Sequence, residues 1–534
     1  MIRTAHLAFV AAALSTTALS PMAVAATTAA AKPQPAAVTP KVASAGAIKA
    51  PPIVYQQRVL PNGMKVFTSR DATTPNVSVQ VWYGVGSKDD PRGRSGFAHL
   101  FEHLMFKATR NMPSETLDRL TEDVGGFNNA STWDDFTNYY EVAPANHLER
   151  LLWAESDRLK SLVIDESVFA SERDVVKEEL RQRVLADPYG RFFALSIPQQ
   201  SFTTHPYQRP GIGSIEELDA ATVDDVRAFH QTYYRPDNAA LIVVGNFDQA
   251  KLDAMIDQYF GGLAKPAGDI PKVSVAEPAR PGPKTVNTYG PNVPLPALAI
   301  TWLAPAAADK DAPALTVLDA ILSAGKSSRL YDSLVYEQKI AQSVFSSAPN
   351  NAQPGLFYVG AIMAGGKTVQ QGETALRAQV ARLRDGLVTP AELSEAKAGL
   401  LADAVRRREE IDGRGFAIGY ALMTEGDAAR ANANLAALQA VTAADVQRVA
   451  RAYLADDKRT VIRYLPEKDR PAGEKDATPP IPKVASVKYD GPVTTLAPEG
   501  ELSPPRFRRR CPRRRRRPWP TGCASSSPSP ATSR

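Results

Sequence analysis

Cysteine is nearly absent from this 534-residue chain, which has only Cys511 and Cys523, both close to its C-terminus. The rest of the chain therefore offers neither a disulfide nor a thiolate ligand. Histidine is also scarce, with six residues in all and none after His230. A metal ion bound before the tail must be held by nitrogen and oxygen donors, and imidazole donors are confined to the first part of the chain.

Long apolar runs are missing after the N-terminus, so we expect no stable membrane insertion. The N-terminus itself has one arginine, Arg3, then an apolar run that ends in small residues. This pattern predicts a cleaved signal peptide at residues 1–25 and export to the bacterial periplasm. Residues 26–54 are rich in Ala, Thr, Pro and Lys, which predicts a disordered linker.

Acidic residues and lysine are absent from the tail between Pro504 and Arg534, which contains ten arginines. Without this tail the formal net charge falls from +6 to −4, so the pI near 9.0 reflects the tail alone. A basic arm for nucleic acid or anionic lipid and a plain solvated tail are two interpretations. We favour a third, an out-of-frame translation of GC-rich DNA, because Arg, Pro and Ser are abundant there without acidic residues. We therefore expect no nucleic-acid partner.

Two of the few histidines occur together, in the order H-x-x-E-H, as His99, Glu102 and His103. Positions i and i+4 of a helix point the same way, so both imidazoles can bind one metal ion with the carboxylate beside it. This order is the inverzincin pattern, in which the glutamate acts as the base that activates water for attack on a peptide carbonyl. The alternative is a helix whose histidines only pack or cap.

A catalytic zinc ion usually has three protein ligands, so one more donor is needed. Residues 166–187 form a predicted amphipathic helix in which Glu172 and Glu179 lie two turns apart on one face. Spacing alone does not choose between Glu178 and Glu179. The alternative for all three glutamates is a solvated helix face.

The H-x-x-E-H motif is followed about seventy residues later by E-R-x-V-V-x-E-E. This combination resembles the pitrilysin-type (M16) zinc metallopeptidases. That family includes insulin-degrading enzyme and the mitochondrial processing peptidases, and the chain resembles the first half of its long periplasmic bacterial members. The resemblance implies one Zn²⁺ per chain, held by His99, His103 and Glu179. It also implies that Glu102 is the catalytic base and that Glu172 supports the site from behind and is important for activity.

A second stretch that supports the resemblance is Gly125 to Thr132, which matches the family segment G-G-x-x-N-A-x-T. In the family this segment is an exposed edge strand to which the substrate adds as a further strand. The resemblance makes Asn129 and Ala130 substrate-binding candidates. The alternative is a turn and strand without a ligand role.

An internal repeat indicates two related domains. Residues 222–233 align with residues 442–453, and each copy is predicted to be a capped helix that leads into a strand. The expected fold class is α+β, with two homologous pitrilysin/LuxS-like metallohydrolase domains in tandem, each a sheet packed by helices. The expected boundaries are 55–263 for the catalytic N-terminal domain, 264–284 for a proline-rich linker, 285–468 for a C-terminal domain without zinc, 469–503 for an extended linker and 504–534 for the tail.

In the family, a domain without zinc ligands supplies an Arg and a Tyr that hold the substrate. The chain departs from the family at these two positions. Val335 and Gln342 stand there instead. Either the two groups come from another polypeptide or a missing half of this one, or the enzyme works without them. We expect a second M16-type half as a partner, in a homodimer or a heterodimer. Arg329 and Tyr331 nearby are interpreted as structural, as are His147, His205 and His230.

The expected function is that of a zinc-dependent metalloendopeptidase acting on peptides or unfolded polypeptides. The competing hypothesis is a non-catalytic scaffold or substrate-presenting subunit of a heteromeric complex. Relatives of that kind typically lose motif residues, whereas every expected zinc-site position is filled here.

Overall fold

The computed structural model describes residues 50–474 and 483–497. The predicted signal peptide, most of the 26–54 segment and the arginine-rich tail lie outside these ranges, so the predictions made for them stay predictions. Within the described ranges, every helix is too short or too polar to span a bilayer.

The first domain is built on a six-stranded sheet in the order β1-β2-β6-β3-β5-β4. The strands are β1 (Gln56–Val59), β2 (Lys65–Arg70), β3 (Asn76–Tyr83), β4 (Phe127–Thr132), β5 (Thr137–Pro144) and β6 (Ala239–Gly245). β2 and β6 run parallel, and the other neighbours are antiparallel. The β1–β2 hairpin turns at Gly63, whose φ of 93° is in the left-handed region that favours glycine. β4 lies at one edge of the sheet.

Eight α-helices accompany this sheet in the described part of the first domain. They are α1 (Phe97–Leu104), α2 (Thr116–Glu122), α3 (Leu148–Ser161), α4 (Glu166–Glu179), α5 (Ile197–Ser201), α6 (Ile215–Asp219), α7 (Val223–Tyr233) and α8 (Gln249–Phe260). α4 continues as a π-helical segment over Leu180–Leu185. Alternate residues of β3, including Val79 and Val81, share a buried core with Phe97 and Phe101 of α1. The strand's alternation thus fixes the face of the sheet that α1 covers.

The second domain is built on a five-stranded sheet in the order β7-β11-β8-β10-β9. The strands are β7 (Lys284–Gly290), β8 (Ala297–Ala304), β9 (Ala341–Ser347), β10 (Gly355–Met363) and β11 (Thr460–Pro466). The helices are α9 (Ala312–Ser323), α10 (Val369–Asp385), α11 (Pro390–Glu409), α12 (Ile411–Glu425), α13 (Arg430–Ala440) and α14 (Ala443–Tyr453). β7 pairs parallel with β11, as β2 does with β6.

The predicted repeat is confirmed by two equivalent helices and strands. α7 and α14 both begin with a capping box, formed by Thr222 with Asp225 and by Thr442 with Asp445. Each helix leads into a strand that lies between one parallel and one antiparallel neighbour. The tandem α+β fold expected from the sequence is therefore confirmed.

Each domain contributes a segment that packs on the sheet of the other domain. α12 of the second domain packs on the first sheet, where Ile411, Ile418 and Leu422 join a core with Trp82. Conversely, Phe192 of the first domain stacks on Tyr464 of the second sheet, with ring centroids 5.3 Å apart. Each sheet thus buries one face under a helix or loop from the other domain.

The segment 483–497, in the predicted extended linker, returns to the first domain. The Arg94 guanidinium donates to the Ser486 hydroxyl at 3.0 Å, and the Val487 N–H donates to the Asp225 carboxylate at 2.6 Å. Arg94 also donates to Asp225 at 3.0 Å. This described part of the segment therefore lies against the loop that precedes α1.

Candidate active site

Helix α1 is fixed at its first turn by a loop that only glycine allows. Gly96 has a φ of 95°, and an added Cβ would lie 2.9 Å from the Cα of Gly213. The Asp90 carboxylate accepts from the N–H groups of Gly96 and Ala98, at 2.7 and 2.8 Å. A carboxylate at this end also suits the helix dipole. The start of the helix that carries His99 is thereby held in place.

Three potential ligand atoms converge between α1 and α4. Among the described residues, His99, His103 and Glu179 form the one group of three or more His, Cys, Asp or Glu side chains whose donor atoms all lie within 4.8 Å of one another. Glu179 Oε2 is 3.8 Å from Nε2 of His99 and 3.3 Å from Nε2 of His103. Tetrahedral zinc with bonds of about 2.1 Å puts neighbouring donors roughly 3.4 Å apart. The spacing and the N, N, O donor set therefore fit a zinc ion.

The protonation of this group is uneven. Burial, with the adjacent His103, lowers the pKa of His99 to about 3, which leaves a neutral imidazole with a free lone pair. Burial also disfavours charge on His103, but the Glu172 and Glu179 carboxylates outweigh it and raise the pKa of His103 to about 9. Although burial opposes it, the two histidines lower the pKa of Glu179 to about 2. Glu179 is thus anionic, as a ligand must be, whereas His103 has to release its proton to bind a metal ion.

Glu102 lies on the same helix and is 6% exposed. Burial raises the pKa of this carboxyl, while hydrogen bonding from Thr132 opposes the increase. Thr132 is the last residue of β4, and its hydroxyl also approaches the Ala98 carbonyl oxygen at 3.4 Å. Glu102 therefore lies where α1 meets the end of the edge strand.

Glu172 faces the outer nitrogen of His103. Its Oε2 is 3.7 Å from His103 Nδ1, and its Oε1 is 2.9 Å from Lys107 Nζ. Burial raises the pKa of Glu172, but His103 and Lys107 more than offset this, so the pKa is lowered overall. A carboxylate behind a ligating histidine orients the ring. Lys107 was missed by the sequence analysis, because it lies beyond the end of α1, where helical spacing no longer applies.

Glu178 and Glu179, which spacing could not separate, point in different directions. The Glu178 side chain is 54% exposed and pairs with Arg181 at 3.4 Å. The Glu179 side chain is 14% exposed, and its second oxygen, Oε1, lies 2.6 Å from Arg183. Arg183 was also missed by the sequence analysis, because its contact with the site runs through Glu179, which spacing alone did not single out as a ligand.

Comparison with known proteins identifies the family of this chain. The family model described as Insulinase (Peptidase family M16) matches residues 65–194, and the model described as Peptidase M16 inactive domain matches residues 220–400. Zinc protease PqqE of Helicobacter pylori is 31% identical over 422 residues, which cover 77% of this chain and 93% of that protein. The chain belongs to the M16 peptidase family.

Other M16 relatives agree in sequence and in fold. The probable mitochondrial-processing peptidase subunit beta of Arabidopsis thaliana is 24% identical over 77% of this chain and 78% of its own length. The crystal structure of a protease from Helicobacter pylori superposes with a TM-score of 0.74 at 28% identity, over 77% of this chain and 99% of that one. The crystal structure of pitrilysin, at 18% identity and a TM-score of 0.63, covers 77% of this chain and 44% of that one, and shows the shared fold alone. M16 relatives are named zinc proteases, which supports zinc as the metal.

The M16 substrate candidates Asn129 and Ala130 lie in the middle of β4, outside the ligand cluster. The Ala130 N–H donates to the Asn129 side-chain oxygen at 2.9 Å. β4 pairs with β5 on one side, and its other side pairs with no strand of the described chain. The backbone of β4 thus has an edge at which a peptide could pair. Their role in substrate binding stays a prediction.

The second domain of this M16 chain has neither Arg nor Tyr at the two divergent positions. Val335 packs against the apolar core of that domain, and Gln342 is exposed near the start of β9. Arg329 forms a two-point ion pair with Glu392, at 2.6 and 3.1 Å, which agrees with the structural role expected for it. His205 is 2% exposed and lies 2.6 Å from the Gln353 side-chain oxygen.

Proposed function

We propose that this M16 chain is a zinc-dependent endopeptidase that hydrolyses peptides or unfolded polypeptides in the periplasm. The observation that carries the proposal is the convergence of His99, His103 and Glu179, with the buried Glu102 on the same helix. The predicted signal peptide supports the location. The zinc protease names of its relatives support the chemistry.

His99, His103 and Glu179 would hold the metal, which when bound supplies Lewis-acid activation of water and stabilises developing negative charge. Glu102 accepts the proton of the attacking water and later passes a proton to the leaving amine. Its burial, which raises its pKa, makes it a stronger base than an exposed glutamate. Glu172 orients the His103 ring, and Lys107 keeps Glu172 ionised.

The substrate would pair as an extended strand with the free edge of β4. Main-chain pairing holds a peptide while demanding little of its side chains, which suits an enzyme for varied or unfolded polypeptides. Thr132, at the end of this strand, approaches the Glu102 carboxyl. A peptide paired with β4 would therefore pass beside the base.

A second M16-type half is proposed as the partner of this chain. Val335 and Gln342 leave the second domain without the Arg and Tyr that hold substrate elsewhere in the family. The partner half, from a homodimer or a heterodimer, would supply those contacts.

The decisive variant is Glu102→Gln. It removes the base without removing a ligand, so zinc content should stay at the wild-type level while kcat falls by about a hundredfold or more. Zinc is measured by atomic emission and cleavage with a quenched fluorescent peptide. Cleavage by Glu102→Gln at the wild-type rate would exclude this mechanism, and a wild-type protein that binds zinc but cleaves no peptide would favour the scaffold hypothesis.

A further inference from the structure

The turn that joins β4 to β5 meets the turn that joins β9 to β10 of the second domain. The Asn351 side-chain N–H donates to the Asp134 carboxylate at 2.8 Å, and the Ala352 backbone N–H donates to the Asp135 carboxylate at 2.8 Å. We call this pair of contacts, made by Asp134 and Asp135 with Asn351 and Ala352, the hairpin clamp. It joins the substrate-side hairpin of the first domain to the corresponding hairpin of the second.

Each carboxylate of the hairpin clamp is also bound from its own domain. Asp134 accepts from the Ser87 hydroxyl at 2.8 Å. Asp135, which is 5% exposed, accepts from the Tyr207 hydroxyl at 2.7 Å and lies 3.3 Å from Lys88 Nζ. Both oxygens of each carboxylate are therefore used, one within the first domain and one across to the second. Hydrogen bonds to charged, poorly solvated groups are among the stronger ones in proteins.

The hairpin clamp lies directly after the end of the edge strand. Thr132 closes β4 beside Glu102, and Asp134 is two residues further along the chain. A displacement of this turn would move the Thr132 end of β4 with respect to the base, because no flexible segment separates them. The second domain thus contacts the peptide-binding edge at its catalytic end.

We propose that the second domain, which lacks zinc ligands, sets the position of the β4 edge for peptide binding, with Asp134, Asp135 and Asn351 as positioning residues. This inference rests on the proposed function, since it assumes that peptide pairs with β4. It assigns a task to the second domain that is independent of the missing Arg and Tyr. Loss of the clamp should weaken substrate binding while leaving the metal site intact.

The test is to break the hydrogen bond between Asn351 and Asp134 and then to restore it by exchanging the amide and the carboxylate between the two positions. Asn351→Asp removes the N–H donor and sets a second carboxyl group against Asp134, so it should raise KM about tenfold, with a smaller change in kcat. The double variant Asp134→Asn with Asn351→Asp restores an amide–carboxylate pair, and the new amide oxygen still accepts from Ser87. It should return KM to within about twofold of the wild type.

Asn434→Asp is the matched control. Asn434 donates to Glu425 at 2.6 Å, so the variant also sets two carboxylates side by side, but within the second domain. It should leave KM unchanged. An equal rise of KM in Asn351→Asp and Asn434→Asp, or a double variant no better than Asn351→Asp, would overturn the proposal.

A measurement without substrate separates this proposal from the proposed function. Amide hydrogen exchange across residues 127–140 should be faster in Asn351→Asp than in the wild type and should return to the wild-type rate in the double variant. Zinc content should be the same in all of them. Unchanged exchange in Asn351→Asp would refute the clamp whether or not the protein cleaves peptides, whereas an inactive wild type with clamp-dependent exchange would refute only the peptidase function.

Discussion

Two adjacent glutamates at the end of α4 have different surroundings, and only one of them faces the two histidines. Glu179 points toward the two histidines, and Arg183 occupies its second oxygen, so a single oxygen is left for a metal. Glu178 is turned by about 100° around the helix and pairs with Arg181 in solvent. Exposed pairs of this kind contribute little to stability.

Glu179→Ala should therefore weaken zinc retention far more than Glu178→Ala. Loss of Glu179 removes a charged donor from the three proposed ligands, whereas loss of Glu178 removes only a solvated ion pair. Zinc is measured after dialysis of both variants against a mild chelator. Equal retention would exclude Glu179 as a ligand.

The ligand pattern was predictable at this scale because it is local. His99, Glu102 and His103 share one helical turn, so the helical period alone placed them together. The choice between Glu178 and Glu179 was not predictable from spacing, since it depends on how α4 is rotated against α1. The resemblance to M16 peptidases supplied Glu179, and the structure brings its carboxylate to the two imidazoles.

At the scale of secondary-structure elements, close packing between α12 and β3 joins the two domains. A Cβ on Gly419 would lie 2.2 Å from Trp82 Cε2, and Trp82 is fully buried. The Trp82 ring in turn packs on Phe136, with centroids 4.9 Å apart, just after the turn of the hairpin clamp. The glycine therefore lets α12 approach the sheet closely.

Gly419→Ala should destabilise the protein by about 1–3 kcal/mol, because the added methyl group overpacks a rigid core. Gly399→Ala is the control within α11, since its Cβ would meet nothing within 4 Å. It should stabilise the protein by about 0.5–1 kcal/mol. Thermal unfolding measures both. A higher Tm for Gly419→Ala than for wild type would contradict the packing described.

The element scale also marks the limit of sequence-based prediction. The capping boxes of α7 and α14 use residues three apart, so both helices and the repeat were visible in the sequence. The packing of α12 on the first sheet joins residues such as Gln80 and Asp412, which are 332 positions apart. The hairpin clamp spans 217 positions. No local pattern reports contacts of that separation.

On the scale of the whole molecule, this chain matches some relatives along almost their full length and others along about half. It covers 93% of zinc protease PqqE but 44% of pitrilysin. One M16 unit of two domains is thus common to both groups. The candidate ligands His99, His103 and Glu179 lie in the first domain, and the second domain packs against that domain and contacts the hairpin beside the proposed base.

The isolated chain should be a slow peptidase, and a homologous half that carries the Arg and Tyr should raise kcat/KM by about a hundredfold or more, because oriented contacts to the substrate backbone act at the transition state. The comparison is kcat/KM for the chain alone against the mixture. Full activity from a strictly monomeric preparation would contradict this prediction. Full activity of a homodimer would show that another surface replaces the missing pair.

Zinc titration into metal-free protein, with peptide cleavage followed in the same samples, is the most direct test of zinc-dependent hydrolysis at this site. If the chain alone is too slow, the partner half is added at a fixed excess. Cleavage should rise in proportion to bound zinc and reach its maximum at about one ion per chain, because the described residues form one group of suitable donors. Undiminished cleavage by the metal-free protein would contradict the proposed mechanism.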